Sequence, residues 1–165
     1  MRNFAADAGR GYKDNPEEGG VAMDDAREEI RHAINQRLAA ISAKDAKAVV
    51  ASLAADVVAF EMTPPLALPP GAARDVEGFA AWLAGFEEVD VEVRDLGIEA
   101  DGALGFARSL NHLKGVRTGG QKVSMWMRST LCFRREGSAW KIVHAHTSVP
   151  FHPGPELKAA IDLEP

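Results

Sequence analysis

Residues 122–150 read KVSMWMRSTLCFRREGSAWKIVHAHTSVP, and the period of this stretch decides the fold. Apolar and polar side chains alternate from Lys122 to Arg134, Glu136-Gly137 interrupts them, and strand-forming residues resume from Ala139 to Val149. A period of two belongs to a β-strand with one buried face, and a short glycine-bearing break joins two such strands as an antiparallel pair. The pattern extends upstream. VDVEV at 89–93 alternates, Asp101-Gly102 is a hairpin turn signal, Ala103 to Lys114 is strand-like, and Thr118-Gly119-Gly120 marks the turn before Lys122. The C-terminal half therefore reads as an antiparallel meander.

The N-terminal half has a different period. Ile30, Ile34, Leu38 and Ile41 recur at helical intervals, and Asp25 with Glu28 has capping-box spacing, which predicts a first helix starting near Asp25. A second helix is predicted from Asp45, with Ala46, Val49, Val50 and Leu53 facing inward, before a strand from about Val57 to Met62. Pro64, Pro65, Pro69 and Pro70 then remove four backbone donors, so 63–71 is a stiff loop whose Leu66 and Leu68 can form a wall or lid. A third helix is predicted from about Asp75 to Phe86, with Phe79, Trp82, Leu83 and Phe86 on one face. Residues 1–22, rich in glycine and charge and poor in apolar periodicity, read as a mobile tail. The order of elements argues for one α+β domain, 23–151, in which a bent sheet closes on helices around a hollow, with 152–165 as an extension.

Composition narrows the function classes. A net charge of −5 provides no basic surface for a nucleic-acid backbone, and no apolar run approaches the length of a membrane span. The single cysteine, Cys132, cannot form an internal disulfide and lies in an apolar stretch. The expectation is a cytoplasmic protein with neither nucleic acid nor membrane as partner.

Several residues can carry chemistry. His144 and His146 share one side of the last strand and can contact a ligand, move a proton or sit hydrogen-bonded in a sheet. His112 could add a third metal ligand, but the last two strands offer no carboxylate toward the pair, so neither a metal nor another cofactor is expected. Alternation divides the strand before them. Val123, Met125, Met127, Ser129, Leu131 and Phe133 read as core, while Arg128 lies on the other side between Trp126 and Thr130. A guanidinium in mid-strand needs an acceptor, which can be an anionic ligand, Glu61 or a partner subunit. Glu61, at the end of the first strand, is either a solvated strand terminus or a carboxylate at a pocket rim whose proton affinity burial raises, and so a base. Asn111 can orient a substrate or satisfy a turn. Trp82 is either core or a ligand contact.

The string G-x-x-W-K-I-V-H-x-H-x-S from Gly137 to Ser148, and NQRLAAISAKDAKAVVASLAADVVAFEM at 35–62, resemble the nuclear-transport-factor-2-like superfamily over about residues 24–151. Within it the chain is similar to SnoaL-like and ketosteroid-isomerase-like proteins, and the first string also to the association domain of calcium/calmodulin-dependent kinase II. The resemblance implies a cystatin-like cone, three helices wrapped by a strongly bent sheet, paired as a homodimer and holding a small molecule in a pocket at its open end. It implies that Glu61 takes the position of the proton-abstracting aspartate of the isomerases, that Leu38 stands where their oxyanion tyrosine lies, and that Ser129 falls near their second acid. It further implies that Val143, Ala145 and Thr147 face the pocket, with the histidines opposite. The activity implied is acid/base isomerisation, cyclisation or hydration of a small apolar carbonyl compound. The candidates read from the residues are Glu61, Arg128 and His146 as catalytic groups and Trp82, Asn111, His112, Trp126, His144 and Thr147 as ligand contacts, the histidines belonging to the pocket only in the parity opposite to that of the isomerases. The other reading is a non-catalytic ligand-binding or dimerisation module.

Overall fold

The computed structural model describes residues 16–165, with side chains from Asp24 onward. Helix α1 spans Pro16–Ser42 and α2 spans Ala46–Ala51, followed by strand β1 at Leu53–Phe60. A 3-10 turn at Ala72–Arg74 leads into α3, Val76–Ala84, and four long strands complete the chain: β2 Phe86–Asp101, β3 Leu104–Arg117, β4 Lys122–Glu136 and β5 Ala139–Ser148. The sheet order is β1-β5-β4-β3-β2. β1 runs parallel to β5 and every other pairing is antiparallel, so the sheet is mixed.

Three boundaries differ from the sequence reading. α1 begins at Pro16, where a residue without an N–H is tolerated in the first turn, so Asp25 lies inside the helix and caps nothing. Of the tail expected at 1–22, residues 16–22 thus belong to α1, and the rest lies outside the described residues. Phe86 opens β2 rather than closing α3, because the chain leaves the helix at Gly85, whose N–H bonds back to the Trp82 carbonyl. β1 starts four residues before Val57 and ends before Glu61. Asp45 caps α2 as expected, accepting from the Ala48 N–H at 3.0 Å, and Asp75, at the expected start of the third helix, accepts from the N–H groups of Glu77 and Gly78.

α1 lies across the concave face of the sheet and buries Ile30 and Ile34 there. One apolar cluster joins them to Leu53, Val57, Phe133, Trp140 and Ile142, and a second gathers Leu83, Phe86, Val89, Leu113 and Met127 near α3. Close approach is allowed at Gly105, where an added Cβ would lie 2.6 Å from Ile30 Cδ1 and 3.0 Å from the Glu99 carbonyl. Among the described residues no helix is long and apolar enough to cross a membrane.

Candidate functional site: a cavity between helices and sheet

Members of both apolar clusters line a cavity of about 580 Å³ enclosed by α1, α2, β1, the proline loop, α3 and the concave face of the sheet. The proline loop folds back on β1 through the Leu68 N–H to Ala59 carbonyl and Gly71 N–H to Val57 carbonyl bonds. Leu68 thereby becomes part of the wall, whereas Leu66 points to solvent at 97% exposure. Trp82 sits at the mouth, its ring against those of Phe79 and Phe86 at centroid distances of 5.4 and 5.1 Å.

The floor carries a row of hydroxyls. Ser109, Ser129 and Thr147 are register neighbours on β3, β4 and β5, and all three line the cavity. Ser129 is the sole polar residue among the buried ones described. Two residues along β3, Asn111 accepts from Ser109 Oγ through its Oδ1 at 2.7 Å, which turns its amide NH₂ toward other partners. Glu61 follows β1 immediately, beyond Phe60, which pairs with His146, so the carboxylate continues the line of Thr147. Although Glu61 keeps surface open at the mouth, loss of water around its carboxyl raises its pKa, and the nearby Arg37 charge offsets this only in part.

Arg37 is a charged cavity-lining residue that the sequence reading missed. Its Nη1 donates to the Val49 carbonyl at 2.7 Å and to Ser52 Oγ at 2.8 Å, which ties the guanidinium to the α2–β1 corner. Burial pulls its pKa down to about 10, so it stays cationic at neutral pH. The signal was present in the sequence: Arg37 lies three residues after Ile34 and four before Ile41, on the border of the apolar stripe, where a cation is out of place.

Of the expected site residues, Glu61, Trp82, Asn111 and Thr147 do meet at the cavity. Arg128, Trp126, His112, His144 and His146 do not, and lie on the other face of the sheet. Arg128 is exposed there, so it faces neither Glu61 nor a buried ligand. His112 stacks on Trp126 at 4.5 Å and meets Ser124 Oγ at 2.8 Å, while Arg94 lies 5.0 Å over the Trp126 ring. His144 Nδ1 donates to the Val58 carbonyl at 2.9 Å, and both histidines touch Phe60 edge-on.

The cause is one extra residue. Phe133 pairs with Ile142 and Cys132 with His144, so Val143 is a β-bulge with no partner. Strict alternation from buried Trp140 and Ile142 would have turned both histidines inward. The bulge reverses the parity, sends Ala145 and Thr147 to the cavity, and leaves Val143 outside its lining, against the expectation for that residue.

The family model for SnoaL-like domains matches residues 30–152. The chain belongs to the SnoaL-like domain family. A nuclear-transport-factor-2-like protein of unknown function from Pseudomonas putida is 28% identical, with a TM-score of 0.76 over 87% of this chain and 99% of that one. A nuclear-transport-factor-2-like protein with a cystatin-like fold from Novosphingobium aromaticivorans aligns at 17% identity and TM-score 0.66, covering 89% of this chain and 96% of that one. An uncharacterized protein with a cystatin-like fold from Caulobacter vibrioides aligns at 15% identity and TM-score 0.61, covering 84% and 92%. No curated protein matches. As a SnoaL-like domain, the chain is a member of a small-molecule-binding family with a cystatin-like α+β fold.

Proposed function

We propose that this SnoaL-like protein binds a small, largely apolar carbonyl compound in its cavity and moves a proton on it, with Glu61 as the acid/base group. The observation that carries the reading is the position of Glu61: a carboxylate at the rim of an apolar chamber, with its pKa raised by burial. Desolvation makes such a group a stronger base once it is ionised, and a proton donor below its raised pKa. Asn111 and the hydroxyl row supply neutral hydrogen-bond partners for guest oxygens, and Trp82 supplies an apolar wall. Isomerisation, cyclisation and hydration all begin or end with a proton transfer next to a carbonyl, so one assay reaches all three. The protein is incubated with apolar ketones in D₂O, and deuterium entry beside the carbonyl is followed by NMR. The expected result is exchange by the parent protein and a loss of about 10²- to 10⁴-fold in Glu61→Gln. A ketone bound equally by both proteins, with exchange in neither, would favour the ligand-binding module instead.

The outer sheet face supports a second proposal, a homodimer in which Phe60, Trp126 and His146 meet a second copy of the chain. Phe60 and Phe106 are large apolar side chains left 39% exposed on that side of the sheet.

A further inference from the structure

We infer that the Arg37 guanidinium receives the guest's carbonyl oxygen and holds the negative charge which that oxygen acquires when Glu61 removes the neighbouring proton. This rests on the proton-transfer reading above and specifies its other half. Arg37 is the one cation among the described residues lining the cavity; the other charged groups there, Glu61 and Asp75, are acids. Its guanidinium is held rigidly. Nη1 is shared between the Val49 carbonyl and Ser52 Oγ, and Ser52 Oγ itself donates to that same carbonyl at 2.6 Å, closing a triangle on one edge of the fork. Among the described residues, none accepts from Nε or Nη2. Arg37 and Glu61 influence each other through space without forming a direct ion pair, so a cation and a carboxylate line one apolar chamber.

Such a pair suits a group that gains negative charge only during reaction. In a chamber with little water, a fixed cation stabilises a developing oxyanion far more than it would in bulk solvent, with little reorganisation. The step balances without any co-reactant. Glu61 takes the proton from the carbon beside the carbonyl, the C–H electron pair becomes the C=C bond of an enolate, and the carbonyl π pair moves onto the oxygen beside Arg37. Returning the proton to the same or a conjugated carbon reverses the charge movement. The substrate class that follows is a ketone or enone with an enolisable C–H.

The test separates this role from that of Glu61. 4-Nitrophenol, whose phenolate mimics an enolate oxygen and absorbs in the visible, is bound to the Glu61→Gln protein and titrated spectrophotometrically. With Glu61 neutral, Arg37 and Asp75 are the charges left on the lining. The expected result is that the bound probe ionises at lower pH than free probe, with phenolate bound about tenfold or more tighter than the phenol. Adding Arg37→Met abolishes that preference, and Arg37→Lys retains part of it. In the otherwise unaltered protein, Arg37→Met lowers ketone exchange by about a hundredfold or more. Unmoved or raised ionisation of the bound probe, or no binding up to its solubility limit, overturns the inference. The first of these measurements uses Glu61→Gln alone, so it decides even if Arg37→Met fails to fold. Phenolate preference without any ketone exchange would remove Glu61 as a base while keeping Arg37 as the oxyanion receptor. Ketone exchange insensitive to Arg37→Met would keep Glu61 and remove Arg37.

Discussion

At the scale of single residues, Glu61 and Arg37 carry opposite costs of the same desolvation. Glu61 responds by holding its proton to higher pH, and Arg37 by a pKa reduced to about 10. If Glu61 is the base, exchange of a bound ketone climbs with pH through a midpoint above the ordinary glutamate value, and an NMR-followed rate profile measures that midpoint. The same shift has a consequence for stability. The folded protein keeps the Glu61 proton where the unfolded chain has already released it, so between the ordinary and the raised pKa this group makes stability fall as pH rises. Glu61→Gln removes that term. Its Tm relative to the parent should therefore increase as pH is taken upward across this window and level off above it, as thermal denaturation at several pH values will show. A Tm difference that shrank over the same window would contradict the assigned direction.

Elements matter here through the surfaces they bring together. α1 reaches the sheet only because β3 offers Gly105 beneath Ile30, with an added Cβ also close to the Glu99 carbonyl. Gly105→Val should cost about 1–3 kcal/mol in chemical denaturation, since the Glu99 backbone cannot yield as a side-chain end can. α3 depends on its first turn. Asp75→Ala takes away the carboxylate that caps Glu77 and Gly78, and a loss of about 1 kcal/mol is expected. Because Phe79 and Trp82 on α3 line the mouth, the same variant should also weaken ligand binding, as read by calorimetry.

At the scale of the molecule, the sheet has two faces with different duties. Its concave side supports the helices and the cavity, while its outer side carries Arg128, Trp126, His112 and both histidines of β5. The proposed homodimer places that outer side between two copies. Analytical ultracentrifugation should show a dimer, and Phe60→Glu, whose side chain lies on the outer side against His144, should shift it toward monomer with the Tm of the cavity core little changed. A parent protein that sediments as a monomer at all accessible concentrations would remove the proposal.

While it left Glu61 open between a solvated strand end and a pocket rim, the linear pattern was enough to identify the elements, the antiparallel meander, the cap at Asp45 and the inward parity of β4. These are local properties: a strand or helix declares its period, and a turn its glycines, within a few residues. What faces the guest was decided elsewhere. An unpaired Val143 becomes visible only when β5 lies against β4, and that single residue moves His144 and His146 out of the cavity and Thr147 in. The spacing of Arg37 within the apolar stripe marks it as out of place, but its partners exist only once the α2–β1 corner closes on its guanidinium. Register and desolvation are products of packing between segments distant in the chain, so the charges that would do the chemistry took their roles only in the folded molecule.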